Sequence, residues 1–446
     1  MKSILSNYLF GLFFFIVPFI ACAQDSATST PKLSELKTIP GPLLSPPFPS
    51  SDWDGGPVIG EENDTTVYPF QKLLGLEKNS AGIRFYGWVD VGGNLSTSHN
   101  SNVPTSYDLV PNHVELDQIM FRISRDPNIA QNDHLDWGFL VDNIYGTDYR
   151  YTIAKGIFSG QLLEQNRLYG YDPAQIYGQL FLPKFAEGML IKVGRFISPA
   201  DIEAQWAPDN YLFSHSLMFA ADPYTYTGAE VRIKLDKNFQ IEIGAHAGDD
   251  MAPWSESANL NGLFMVRWVS DSNHDSLYGG TPSIGNGNYT KNHDNLQQVV
   301  ITWGHQFSEK IHMMTEVYYM WEKNALKGGT VTGGPSQNYL MATGPGSLIS
   351  GTASSVGVVN YFEIYLSKKN YLSIRNDFLN DPQGNRTGFA TVYSSHTIGV
   401  AHHFNEIVTV RPEIRYETAY AKGATPYDNG IQKDQLTASA DLIVRF

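Results

Sequence analysis

The chain ends on a strand with two different faces. Counting back from the C-terminus, Phe446, Val444, Leu442, Ala440, Ala438 and Leu436 are apolar, and the residues between them, Arg445, Ile443, Asp441, Ser439 and Thr437, are mostly polar. Strict period-two alternation marks a β-strand with one greasy side and one wet side. The same rhythm starts near Gly82. Ile83, Phe85, Val89 and Val91 alternate with Arg84, Tyr86, Trp88 and Asp90. Ala229, Val231, Ile233 and Leu235 alternate with Glu230, Arg232 and Lys234, and Phe239, Ile241, Ile243 and Ala245 with Gln240, Glu242 and His246. Val408, Val410, Ile414 and Tyr416 oppose Arg411, Glu413, Arg415 and Glu417. Such strands can pack as a soluble sandwich with polar sides in solvent, or close into a barrel with apolar sides in lipid. Repeated opposed charges on one face favour a polar, hydrated barrel interior over a packed core.

The connections separate the two architectures further. Short ones, such as Leu235-Asp236-Lys237-Asn238, Ser367-Lys368-Lys369-Asn370 and Phe404-Asn405-Glu406, alternate with long ones near Ser96–Asn112, Ile144–Asp172, Ser198–Asp222, Ala325–Ala353 and Lys422–Lys433. Membrane barrels have this parity, with short periplasmic turns and long outer loops, whereas a Greek-key sandwich does not. A first count of strands gives an odd number, which cannot close with both termini on one side. The weakly patterned, Gly-rich stretch Ser276–Ile284 supplies the missing ascending strand. The expectation is therefore an all-β, antiparallel up-and-down transmembrane barrel of about 16 strands over residues 81–446, with about 14 as the alternative. Phe85, Phe139, Ile241 and Phe446 should face lipid. Phe446 resembles the C-terminal aromatic by which the barrel-assembly machinery recognises outer-membrane strands, so that machinery and outer-membrane lipid are the expected partners.

The other end of the chain agrees. Met1 and Lys2 precede an apolar run from Leu9 to Ala21, followed by Ala21-Cys22-Ala23. That run is too short to span a bilayer and reads as a signal peptide over residues 1–23. Phe19-Ile20-Ala21-Cys22 is a weaker alternative, a lipoprotein site with Phe in place of the usual aliphatic residue. Cleavage after Ala23 removes the single cysteine, and with it any disulfide chemistry. The net charge of −14 loses only Lys2 from this segment, and acidity of that size argues against nucleic acid. Residues 24–80 are rich in Pro, Ser and Thr, including Pro40-Gly41-Pro42 and Pro46-Pro47, and read as a periplasmic linker or a partial plug. Val67 to Leu76 suits a short helix or turn at the barrel mouth.

Several segments, in order from Gly82 to Phe446, resemble a family of bacterial outer-membrane barrels, the putative β-barrel porin-2 family. They include Asp117-Gln118-Ile119 with Phe121-Arg122-Ile123, Tyr145-Gly146-Thr147-Asp148-Tyr149-Arg150, Tyr169-Gly170-Tyr171-Asp172-Pro173, and Val193-Gly194-Arg195-Phe196. Ala221-Asp222-Pro223, Thr302-Trp303 and Arg411-Pro412-Glu413-Ile414-Arg415 continue the set. The resemblance implies a porin-like channel in the bacterial outer membrane and names no solute. Ser198-Pro199-Ala200-Asp201-Ile202-Glu203 departs from it, because the glycine expected just before the glutamate is missing.

Catalytic spacings are sparse. The chain has no H-E-x-x-H, G-x-S-x-G or phosphate-binding glycine motif. His402 and His403 are adjacent on a strand and face opposite ways, so they cannot share a metal. Asp271, Asn273 and Asp275 have calcium-loop spacing without its Gly and distal Glu. No cofactor or metal is expected, and an enzyme is not. Alternation turns Arg84, Asp90, Arg122, Glu230, Arg232, Glu242, Arg375, Arg411, Glu413, Arg415 and Glu417 toward the lumen as pore-lining candidates, although pairing as structural ladders accounts for most of them. Two loops are long enough to fold inward, Asp148–Asp172 and Ser198–Asp222; the second is the favoured constriction loop, with Asp201, Glu203, Trp206 and Asp209, and its aromatics Trp206, Tyr211, Phe213 and Phe219 can pack on the wall. Opposed charges across a constriction would order water and select solutes. The function expected is passive diffusion of small hydrophilic solutes and ions. A plugged structural or adhesive barrel, a hatch-gated transporter of apolar solutes and a rim-active hydrolase are alternatives, and a homo-oligomer is compatible with all four.

Overall fold

The computed structural model describes residues 58–63, 66–77, 81–161, 168–199, 202–272, 274–329 and 346–446. The signal-peptide call and most of the Pro-rich segment lie outside them, as does Asp201. A five-residue helix, α1 (Pro69–Leu73), precedes sixteen strands. These are β1 (Arg84–Ser96), β2 (Val114–Arg125), β3 (Asp136–Gly146), β4 (Gly170–Leu182), β5 (Met189–Ile197), β6 (Thr225–Lys234), β7 (Phe239–Asp249) and β8 (Asn261–Val269). They continue as β9 (Asp275–Ile284), β10 (Gln297–Ser308), β11 (Ile311–Lys323), β12 (Thr352–Ser367), β13 (Asn370–Asp381), β14 (Thr391–His403), β15 (Val408–Ala419) and β16 (Asp434–Arg445). Every strand pairs antiparallel with its sequence neighbour, and β1 pairs with β16 from Trp88↔Arg445 to Ser96↔Thr437. The barrel is closed. The strand that parity demanded is β9.

Closure removes both sheet edges, which is the condition for β-structure in hydrocarbon. Alternation then sorts the side chains. The face carrying Phe85, Phe139, Ile241 and Phe446 points away from the barrel, and none of the four joins a buried cluster. Phe446 lies over Gly87, its partner across the closing seam, where a Cβ would stand 2.8 Å from the ring.

The interior differs from a uniformly polar lumen. Leu263, Met265, Tyr278, Val300, Met314, Tyr318, Met320 and Val359, from β8 to β12, are buried and pack with Ile202, Leu212, Leu217 and Met218 of the β5–β6 loop. Charged pairs such as Arg122–Asp142, Lys192–Glu230, Arg195–Asp172 and Arg411–Asp441 line other parts of the wall. The lumen is thus partly a packed core, because an inserted loop brings apolar side chains that the inward face of β8–β12 matches.

Candidate functional site: an inward loop clamped to the barrel wall

The connection between β5 and β6 leaves the wall at a tied neck. Ser198 N–H donates to Tyr224 O (3.0 Å) and its hydroxyl to Pro223 O (2.8 Å). Past the neck, residues 202–222 fold into the barrel and meet the β12–β2 side of the wall. Three inward glycines receive apolar side chains of the loop. A Cβ on Gly92 of β1 would overlap Phe213, one on Gly357 of β12 would overlap Met218, and one on Gly399 of β14 would overlap Leu212. Glycine is needed at these places for close approach.

Polar contacts fix the same loop. Arg375 of β13 reaches Glu203 Oε1 at 3.1 Å and Ser214 Oγ at 3.0 Å, and Glu203 also accepts from Ser216 N–H (2.9 Å) and Tyr361 OH. Glu413 accepts from Phe213 N–H (2.9 Å) and Ser214 N–H (3.2 Å), and Asp377 from Leu217 N–H (3.0 Å). Arg411 donates to Ala207 O and Asn210 O, each at 2.7 Å, while it pairs with Asp441. Arg415 pairs with Glu417 at 2.6 Å and donates to His215 O. On β2, Gln118 donates to Gln205 O (3.1 Å) and accepts from Ala207 N–H (3.2 Å) and Trp88 Nε1 (2.9 Å). Trp206 stands edge-on to Trp88, with ring centres 6.1 Å apart.

His215 sits at the crossing of three loops. Tyr107, from the β1–β2 loop, stacks between His215 (3.8 Å) and Tyr151 of the β3–β4 loop (4.2 Å). The His215 Nε2–H donates to Ala204 O at 2.9 Å, and Nδ1 is buried with no partner. Burial, reinforced by Arg375, Arg411 and Arg415, holds the imidazole well below its ordinary pKa.

Most of the other charges named from alternation are also buried, and several are paired. Arg122 makes a bidentate pair with Asp142 at 2.7 and 2.8 Å. Glu230 lies 2.7 Å from Lys192 and 3.2 Å from Arg232, which in turn reaches Glu242 at 3.1 Å. Asp90 is 1% exposed, and Asp209 is buried near Arg445, Arg122 and Arg411. Arg84 is half-buried, donating to Thr66 O at 3.2 Å with Asp126 at 3.7 Å. Glu203 and Arg375 touch directly instead of facing each other across a gap. Asp142, Lys192, Asp377 and Asp441 complete the pairs. Alternation could have named them, since each shares a face with a charge that was named.

The N-terminal segment occupies the rim formed by the short turns. Val58 and Ile59 are at most 1% exposed, and Ile59 packs with Ile129, Phe181 and Leu190 and donates its N–H to Gln240 Oε1 at 3.0 Å. Tyr68 stacks on Tyr86 (5.3 Å) and accepts from Arg445 at 2.8 Å, on the inward side of β1 and β16. Two residues later, Phe70 of α1 packs edge-on against Phe121 (5.7 Å) and Phe446 (6.1 Å) on the outward side. The chain straddles the rim here. The short helix expected within Val67–Leu76 is α1.

A family model described as "Putative beta-barrel porin-2, OmpL-like" matches residues 82–446. The chain belongs to that family. Its place is the bacterial outer membrane. The outer membrane channel DcaP of Acinetobacter baumannii has a similar fold, at a TM-score of 0.50 and 10% identity, over 83% of this porin-family chain and 99% of that one. An anion-selective porin from Comamonas acidovorans gives a TM-score of 0.48 at 10% identity, over 82% and 99% of the two chains. OmpT of Vibrio cholerae gives 0.47 at 10% identity, over 83% and 99%. No curated protein matches by sequence. Among the described residues, no group of three or more His, Cys, Asp or Glu side chains is arranged to hold a metal ion.

Proposed function

We propose that this porin passes small hydrophilic solutes and ions by passive diffusion, through a narrow path beside the β5–β6 loop. One observation carries the reading. A loop held inside a closed barrel by Arg375–Glu203, Glu413 and Arg411 narrows the lumen to what is left beside it. Polar walls of opposed charge replace part of a solute's hydration shell, and apolar solutes gain nothing there. In this proposal Glu203, Trp206 and Asp209 belong to the constriction, with Asp201 beside them in sequence. Arg84, Asp90, Arg122, Glu230, Arg232, Glu242, Arg375, Arg411, Glu413, Arg415 and Glu417 set the field around it. Residues 1–23 serve as a cleaved signal peptide, and the strand ending at Phe446 is the contact for the assembly machinery.

A second reading has its own support. Nearly all of these charges are buried, and Val58–Ile59 fill part of the short-turn mouth. A barrel that rests plugged and opens when the N-terminal segment leaves would have these features. Single-channel recording in planar bilayers separates the two. The mature chain should conduct in steps. If only a chain lacking residues 24–77 conducts, the plugged reading holds, and if neither does, the barrel is structural.

A further inference from the structure

The N-terminal segment carries an apolar surface on the outside of the barrel, at the rim of the short turns. Helix α1 is a single turn, with Leu74 N–H donating to Phe70 O at 3.1 Å. Side chains three and four apart share one side of such a turn, so Phe70, Leu73 and Leu74 stand together. Phe70 uses that side to reach the outward rings of Phe121 (5.7 Å) and Phe446 (6.1 Å). Phe121 is the register partner of Gly87, the fourth residue of β1, so the helix lies against the outer wall close to the short-turn end of β1 and β2. The wall covers only Phe70. Leu73 is 80% exposed and Leu74 46%, while Gln71 on the opposite side of the turn is buried and donates to Leu76 O at 3.4 Å. An amphipathic turn normally buries its apolar side, and this one leaves two leucines of it uncovered.

We propose that α1 is an interfacial anchor, with Leu73 and Leu74 inserted among the phospholipids of the periplasmic leaflet of the outer membrane. The occupant follows from position and charge. The apolar side of α1 continues the outward face of Phe85, Phe121 and Phe446, which meets hydrocarbon, so the lipid surface extends onto the helix without a break. The short-turn rim is the level at which aliphatic and aromatic side chains sit among headgroups. Lys72 is exposed beside the two leucines, where its stem can lie along apolar surface and its ammonium meet a lipid phosphate. Tyr68, stacked on Tyr86 inside the rim, then marks a pivot. The chain before it occupies the mouth, and the chain after it is held by lipid. On the plugged reading, a plug would swing about this point and remain attached.

The test uses the mature chain, purified and reconstituted in vesicles of phosphatidylethanolamine and phosphatidylglycerol, so that no other protein is present. Leu73→Cys and Leu74→Cys each carry a nitroxide. Ile243→Cys on the outward face of β7 is the lipid reference, and Glu62→Cys, at an exposed polar position of the same segment, is the water reference. The parent chain is the blank for Cys22. Collisions with oxygen, which concentrates in lipid, are compared with collisions with a water-soluble nickel chelate. The oxygen-to-nickel ratio at both leucine positions should be several-fold higher than at Glu62→Cys and approach that at Ile243→Cys. Adding Leu73→Glu to Leu74→Cys should return the ratio to the water value, while the barrel keeps its heat-modifiable migration. If Leu73→Cys does not assemble, Leu74→Cys decides. A water-like ratio at the leucine positions would overturn the proposal. So would labels shielded from both reagents, which would mean that a second copy covers the helix, or a ratio that Leu73→Glu leaves unchanged. Conductance plays no part in this readout, so the anchor stands or falls independently of the channel reading.

Discussion

Arg375 on β13 lies 3.1 Å from Glu203, a residue 172 positions away that hangs on the β5–β6 loop inside the barrel. The guanidinium is 0% exposed and the carboxylate 4%, so neither charge has bulk water to fall back on. Removing one partner of a buried pair costs about 3–5 kcal/mol, because the other is left uncompensated. Arg375→Ala should release the loop at its centre. The measurement is single-channel conductance, expected to rise and become noisier while the barrel still migrates as folded.

Neutralising the other partner has a different effect on ions. Glu203→Gln removes one negative charge from beside Arg375 and leaves the excess positive charge of Arg375 and Arg415 in the loop's support. Under a salt gradient the reversal potential should move toward the value for anions. The shift should shrink as salt rises, since the Debye length falls from about 10 Å at 0.1 M to about 3 Å at 1 M. An unchanged potential places the constriction elsewhere.

The glycine sockets give a charge-free way to displace the same loop. Gly357→Val drives a side chain into Met218, and Gly92→Val drives one into Phe213. Overpacking typically costs about 1–3 kcal/mol, and here the loop can yield more easily than the sixteen-strand wall. Both variants should assemble normally and conduct more than the parent in the same bilayer.

His215 predicts a pH response. Its pKa in the folded protein lies well below the ordinary 6.5, with burial the main cause. The unfolded or undocked loop therefore binds more protons, and the contribution to docking is full above pH 6.5 and lost as pH falls below it. The loss is about 1.4 kcal/mol per pH unit until the folded pKa is reached. Protonation would fall on Nδ1, which has no acceptor and faces the field of Arg375, Arg411 and Arg415. Acidification from pH 7 to 5 should raise loop noise, and His215→Gln should flatten that response.

Phe446 joins assembly to the rim. Its ring covers Gly87 and meets Phe70, while neighbouring Arg445 holds Tyr68. Deleting Leu436–Phe446 should prevent heat-modifiable barrel from reaching the outer membrane, because β1 loses its partner and the sheet keeps two open edges. Phe446→Ala should reduce the yield of assembled barrel without changing conductance per channel.

The strands, their faces and their number were legible in the sequence because each depends on local information. Side-chain period is two, so Arg411, Glu413 and Arg415 had to share a face with one another and not with Ile414. Parity of short and long connections located β9 despite its weak pattern, since an odd count cannot close. The same local logic indicated Ser198–Asp222 as a loop long enough to enter the barrel, and α1 as a short helix near the mouth.

Tertiary structure alone decided what the inward face meets. Alternation names Arg375 and the long β5–β6 connection names Glu203, but nothing within either strand or loop says that they touch, because the chain between them makes seven strands, β6 to β12. The role of Gly92, Gly357 and Gly399 as sockets is equally invisible along the chain, where a glycine in a strand reads only as a weak position. Val58 and Ile59 stand in a segment whose composition suggests a linker, and they are buried because the mouth of a closed barrel offers Phe181, Leu190 and Gln240 together. Local periodicity sets the barrel wall. The contents of its interior depend on contacts between residues far apart in sequence, which form only once the wall has closed around them.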